Sequence, residues 1–430
     1  MYVIWEYIFI RTCIFFLHLI APFSTLYSLA RSLVHPLHRV PHLLEVWLAP
    51  EATFYLLVYL PRRAYLQRVA VPPTTLCCED RRLLFRRCHD NIPDPERYLS
   101  KWFLDAPAEE IRRENVKDFF RWAFLNTRDR DPAHDEEKME PGRGKAKCLR
   151  LTYDKVAMSH RSLAWYLCVS VVDTLTSAYL RYQGFDLHGT SLRQSLIVFP
   201  FRPLSLFTRH RSPAKTLTYW HRPHTSKTRL PVLFIHGIGI GLYPYVNFLV
   251  ELNAENGDDG LDDGQRGIFA VEIMPVSFRI TKAHGWDKVV LVSHSYGSVI
   301  STHLLHSPRT VPKIGPMLFV DPVTFLLHLP DVAYNFIYRK PTRANEHQLS
   351  YFASKDMGVA HTLSRRFYWA DNILWKEDLQ NHRVAVSLAE KDLIVDTTAI
   401  GAYLTGADGW ILRTRDWKDG IWQSGGLEVL

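Results

Sequence analysis

The sequence predicts an α/β fold, a mostly parallel sheet with flanking helices, preceded by a helical, membrane-attached N-terminal region. Three observations carry this. From about residue 216 onward, short β-rich runs alternate with helical stretches. One of those runs passes through a Ser-x-Ser-x-Gly turn directly into an apolar helix. Near the start, Thr12–Ala30 carries no formal charge, over a length close to the ~17–20 residues of a minimal bilayer span.

The length, 430 residues, accommodates one large α/β domain and a substantial further region. Apolar residues make up 47% and charged residues 22%, which excludes a disordered chain. The net charge of +8 is unevenly spread: Phe201–Leu230 holds seven Arg or Lys and no Asp or Glu. Further basic groups stand at Arg62, Arg63 and Arg68 and at Arg81, Arg82, Arg86 and Arg87. Beside apolar helices such groups suit anionic lipid headgroups better than nucleic acid, so membrane lipids are the expected partner and nucleic acid is not. The six cysteines lie at or before Cys168, without paired-ligand spacing. They read as ordinary reduced thiols, and no metal site and no cofactor are expected.

Residues 1–69 read as a membrane anchor with an interfacial helix. Thr12–Ala30 is the candidate span, diluted by His18, Pro22, Ser24, Thr25 and Ser28. Leu43–Leu60 is apolar but broken by Glu45, Pro50 and Glu51, which suits an interfacial or re-entrant helix better than a second span. A cleaved signal peptide is disfavoured because Glu6 precedes the first cation, Arg11. Arg31, Arg39, Arg62 and Arg63 follow the span, so the positive-inside bias places the rest of the protein on the cytosolic side.

Residues 70–215 read as helical, with a charged loop near 128–147. Asp105-Ala106-Pro107 ahead of Glu109 and Glu110 has the composition of a helix start. Ile111, Val116, Phe119, Phe120, Ala123 and Phe124 then recur on one face. Ser162–Leu180 is a second apolar helix, and Asp173 in its middle argues for packing against protein rather than lipid.

Residues 216–430 form the α/β domain. The expected strands are Thr216–His221, Pro231–His236, Gly267–Ile273, Lys288–Ser293, Pro316–Val320, Arg383–Leu388 and Leu427–Leu430. The strand Val290–Ser293 runs into Ser293-His294-Ser295-Tyr296-Gly297 and a helix through Leu305. A serine on so sharp a turn has its Oγ exposed above the sheet, and its neighbours must be small. Ser295 is therefore the candidate nucleophile, with Ser293 standing where glycine is usual. Pro231–His236 ends in His-Gly-Ile-Gly, whose Gly237 precedes Ser295 by 58 residues. Gly237, Ile238 and Gly239, with the backbone of Tyr296, are candidate oxyanion donors. The G-x-G-x-G spacing excludes a dinucleotide loop. His236 reads as structural. Asp392, in the turn after the strand Arg383–Leu388, is the favoured acid, and Asp321, one strand earlier, the alternative.

Together PVLFIHGIGIG, LVSHSYGSVIS, LFVDPV and VSLAEKDLIVD resemble the α/β-hydrolase superfamily. The chain looks most like fungal membrane-anchored proteins with an α/β-hydrolase domain after a long helical N-terminal region. The resemblance implies a serine hydrolase of esterase, lipase or thioesterase type, acting without a cofactor on a small-molecule acyl substrate. Ser295 would be the nucleophile and Asp392 the acid. It also implies a base histidine after the acid. All twenty histidines lie at or before His382. A truncated gene model or a catalytically inactive, binding protein is thus the alternative expectation, unless His236, His361 or His382 reaches the serine. Only eleven residues, Ser277–Asp287, remain for the crossover before Lys288, so a covering helix is expected to be short or missing. The aromatic, helical stretch within 322–379 is expected to be a lid-like insertion, with Phe325, Leu326, Tyr351, Phe352, Tyr368 and Trp369 as possible lining.

Overall fold

The computed structural model describes residues 2–33, 41–70, 76–126, 142–190, 208, 210–214, 217–252, 264–272, 284–406, 422–424 and 426–429. The chain divides into two compact units, Met1–Ser162 with Leu326–Asn372, and Leu163–Phe325 with Ile373–Leu430.

The first unit is helical. Tyr2–Leu33 is one 32-residue helix, and His42–Leu66 is a continuous helical run of 25 residues despite Pro50. Both are long and apolar enough to cross a membrane, as is Leu163–Tyr182 in the second unit. The side chains of Ile4, Phe9, Phe16, Leu26 and Leu43 stand exposed. On the inner side of the first helix, Ile10 and Ile14 pack with Ala344 and Tyr351. Arg31 pairs with Glu45 at 3.2 Å, tying the two helices together. The helix expected to begin near Asp105 instead begins at Arg113, because Leu104 and Asp105 adopt left-handed backbone (φ 61° and 58°). Asn115 closes the new start: its Oδ1 accepts from Arg112 N, and its amide donates to the carbonyls of Gly144 and Ala146. Val116, Phe119, Trp122 and Ala123 form the buried face.

The units do not follow the boundaries read from sequence. Most of the stretch expected as a lid belongs to the helical unit, where Tyr351, Met357, Leu363 and Trp369 are buried. There the Trp369 indole donates to Ala123 O at 3.0 Å. The Arg365 guanidinium donates to the carbonyls of Arg68, Thr152 and Asp154. Periodicity reports which residues are apolar, not which distant segment they meet.

The second unit holds one ten-stranded sheet: β1 (Asp186–Gly189), β2 (His210–Arg211), β3 (Tyr219–Arg222), β4 (Val232–Ile235), β5 (Ile268–Val271), β6 (Val289–His294), β7 (Ile314–Val320), β8 (Val384–Ser387), β9 (Trp422–Ser424) and β10 (Leu427–Val429). The order is β2-β1-β3-β5-β4-β6-β7-β8-β10-β9. Strands β5, β4, β6, β7, β8 and β10 are mutually parallel, β3 is antiparallel to β5, and β9 is antiparallel to β10. All seven expected strands are present; β1, β2 and β9 are additional. Every residue of β4 and β5 is buried, which is why both read as unbroken apolar runs rather than alternating ones. Leu180, Phe185, Trp220, Phe234 and Leu249 extend this core. With the serine turn following β6, the fifth strand in chain order when the short β2 is set aside, this is the α/β-hydrolase architecture.

Leu163–Tyr182 is helical as expected, but it does not bury its apolar side against protein. Thr176 and Leu180 are buried, while Leu167, Val171 and Leu175 are exposed. The shortened crossover falls largely on 273–283, outside the described residues.

Candidate functional site

The parallel strands β4, β6, β7 and β8 deliver their C-terminal ends to one edge of the sheet. Ser295 sits there between β6 and the helix Gly297–Leu305, with a left-handed backbone of φ 50°. A non-glycine residue pays strain in this region, and it persists only where its surroundings enforce it. They do so here. Ser295 N donates to Val320 O at 2.8 Å, and Ser298 N donates to Ser295 O at 3.0 Å. The buried Ser298 hydroxyl adds a second clamp, donating to Ser295 O at 2.6 Å and accepting from Val323 N at 3.1 Å.

Small residues let the helix and the neighbouring turn approach. A Cβ on Gly297 would lie 2.4 Å from Ile235 O, and one on Gly237 would lie 3.0 Å from Ser295 Cβ. Gly237 is thereby placed against the candidate nucleophile. Its N–H, however, donates to Tyr245 Oη at 3.3 Å. Among the described residues, Ile238 and Gly239 N–H make no hydrogen bond, so they are the expected donors still open to an incoming oxyanion. Tyr296 is the N-cap of the helix, whose dipole favours developing negative charge at this end.

The two candidate acids differ. Asp392 Oδ1 accepts from Ile394 N at 2.5 Å and Val395 N at 2.8 Å, so this carboxylate closes its own turn. Asp321 ends β7 in left-handed backbone (φ 44°), receives Ala389 N at 2.7 Å, and lies 3.8 Å from His294 Nε2. Both carboxylates favour the protonated form of His294, yet burial outweighs them and holds its pKa below the ordinary imidazole value.

His294, the variable position of the motif, is engaged on both ring nitrogens at this edge. Tyr245 Oη lies 2.7 Å from its Nδ1. Because Tyr245 accepts from Gly237 N–H, its own proton can go to Nδ1, leaving Nε2–H turned to Asp321. Burial keeps the Tyr245 phenol protonated by raising its pKa. A chain of contacts thus runs Gly237–Tyr245–His294–Asp321–Ala389. The sequence signals for it were a tyrosine after the glycine turn and a histidine beside the serine, neither diagnostic alone.

Of the other histidines, His236 is buried with Nδ1 2.7 Å from Gly237 O, consistent with a structural role. His382 N donates to Leu379 O, and His361 belongs to the helical unit. Among the described residues no side chain is hydrogen-bonded to Ser295 Oγ. Side chains able to ligate a metal gather elsewhere, at the β1–β3 edge of the sheet: His188, His221 and His284.

No family model and no curated protein matches the sequence. Among solved structures, the chain is similar to a membrane phospholipase A described as a bacterial virulence factor, at 10% identity over 56% of this chain and 81% of that one, with a TM-score of 0.32. It is also similar to carboxylesterase CesB from Bacillus subtilis, at 10% identity over 61% and 89%, TM-score 0.31. A third is naproxen esterase from Bacillus subtilis, at 13% identity over 44% and 76%, TM-score 0.29. Likeness at this level bears on neither activity nor substrate.

Proposed function

We propose that the protein is a serine hydrolase of esterase, lipase or thioesterase type, acting on an acyl substrate at a membrane face with Ser295 as nucleophile. The observation that carries this is the left-handed backbone of Ser295 on the turn from β6 to its helix, with Gly237 pressed against it. Attack by Oγ on the acyl carbon would form the Oγ–carbon bond while the carbonyl oxygen collects negative charge; collapse would expel the alcohol or thiol, which leaves with the serine proton, and water would then release the acid. Ile238, Gly239 and Tyr296 N–H are the groups to receive that charge. Asp321, rather than Asp392, is the better candidate for the orienting carboxylate, since it lies 3.8 Å from an imidazole, His294. The exposed apolar faces of Tyr2–Leu33, His42–Leu66 and Leu163–Tyr182 support membrane attachment. The basic residues after the first helix support a cytosolic face for the hydrolase unit.

A second reading, a binding module that keeps the fold without turnover, is favoured by one observation: no imidazole is hydrogen-bonded to Ser295 Oγ among the described residues. Fluorophosphonate labelling of the membrane-expressed chain separates the two. Labelling lost in Ser295→Ala supports the hydrolase; no labelling of folded wild-type chain discards it in favour of the binding module.

A further inference from the structure

The β1–β3 edge of the sheet gathers four histidines from separate stretches of sequence. His188 on β1 is in register with His210 on β2, and on the other side with Tyr219 on β3. His221, two residues along β3, pairs with Asp186. His284 precedes β6 by five positions and joins them from the opposite direction along the chain. One ring nitrogen from each of His188, His221 and His284 lies within 4.8 Å of the others. The His221 and His284 ring centres are 4.1 Å apart, and His188 lies 5.5 Å and 5.3 Å from them.

Two features separate this group from histidines that merely fill space. First, among the described residues the rings of His188 and His221 form no hydrogen bond, though His188 is buried and His221 half-buried. Second, the surroundings are those of a metal centre. Tyr219 Oη, 3.0 Å from His284 Nε2, fixes that ring, as outer partners of ligating imidazoles do. Phe269 and Trp286, whose rings are 3.9 Å apart, wall the group with apolar surface, and Asp186 brings a negative charge to it.

We propose that His188, His221 and His284 bind one divalent metal ion of the zinc type, clasping β1 and β3 to the segment that leads into β6. Three imidazoles suit zinc, copper or nickel better than calcium or magnesium. Tetrahedral zinc at ~2.0–2.1 Å from each nitrogen brings ligand atoms to about 3.3 Å of one another, a modest rotation from the present spacing. Water can take the fourth position. His210, stacked on His188 with ring centres 5.0 Å apart, is the protein group nearest to doing so. The clasp does not depend on Ser295 being a nucleophile.

The experiment is zinc titration of the full chain in detergent, stripped with chelator and treated with N-ethylmaleimide so that the cysteines cannot bind. One equivalent should bind and raise the melting temperature, and cobalt in its place should give the strong visible bands of tetrahedral coordination. His188→Phe and His221→Phe should each weaken binding by at least about 100-fold, and Tyr219→Phe by about 10–100-fold. If the histidine variants fail to fold, the Tyr219→Phe result decides. The clasp is overturned if the thiol-blocked wild type binds no stoichiometric zinc, or if binding is unchanged in folded variants.

Discussion

At Ser293 and Ser298, two hydroxyls five residues apart have opposite consequences. Ser293 is fully buried in β6, and its Oγ meets no partner among the described residues. A buried hydroxyl left unpaired costs ~1–3 kcal/mol. Ser293→Ala keeps the small side chain the turn requires and is expected to raise stability by about 1 kcal/mol, read as a higher melting temperature. Ser298 is equally buried but holds Ser295 O and Val323 N together. Ser298→Ala should lower stability by about 1–3 kcal/mol and slow fluorophosphonate labelling of Ser295, because it frees the strained turn. Equal labelling rates in the two variants would show that the clamp does not position the serine. The placement of Ser295 and Tyr296 on the turn after β6, and of Gly237 beside it, was legible because each occupies a fixed place in a local motif. The roles of His294 and Tyr245 were not: 49 residues separate them, and only the pairing of β4 with β6 brings them together.

Among the elements, strands were read more reliably than helix limits. β4 and β5 are apolar runs buried along their whole length, and β7 and β8 alternate buried and half-buried residues; both patterns leave a plain signal. β1 and β2 were missed because Asp-Leu-His-Gly and His-Arg are short and polar, with no alternation to count. The helix at Arg113 was misplaced because its start depends on Asn115 reaching carbonyls about thirty residues away, which no local rule contains. The helix Gly297–Leu305 depends on one close approach, that of Gly297 to the end of β4. Gly297→Ala sets a methyl 2.4 Å from Ile235 O, a backbone atom that cannot swing aside. Overpacking of this kind costs typically ~1–3 kcal/mol. The variant should melt lower and label more slowly at Ser295. Unchanged melting would mean that the helix shifts freely over β4.

For the molecule as a whole, pH offers a test of burial. His328 is 1% exposed in the helical unit, and burial pushes its pKa down to about 4, partly offset by the nearby Asn91 backbone. The unfolded chain takes up a proton near 6.5 and the native one only near 4. The unfolded state therefore binds more protons between those values. The stability at stake is complete above pH 6.5 and is lost as pH falls towards 4, by up to about 3 kcal/mol. The melting temperature should drop between pH 7 and pH 5, and the drop should shrink in His328→Phe. An equal drop in the variant would assign the acid sensitivity to other groups. The sequence could not have supplied this, because His328 lies in the stretch read as a lid and is buried by helices more than two hundred residues earlier in the chain, beginning with Tyr98, which donates to His328 O.

That same interleaving has a consequence in time. The helical unit takes its core from both Met1–Ser162 and Leu326–Asn372, with the sheet's first seven strands encoded between them. At typical synthesis rates, completing the second stretch after the first takes on the order of 10–40 s. Until then, the inner side of the first helix has no Ala344 or Tyr351 to meet, and Trp369 has not been made to cap Ala123. The newborn N-terminal region must therefore wait, apolar and half-clothed. A lipid surface or a chaperone is the natural shelter until residue 372 leaves the ribosome.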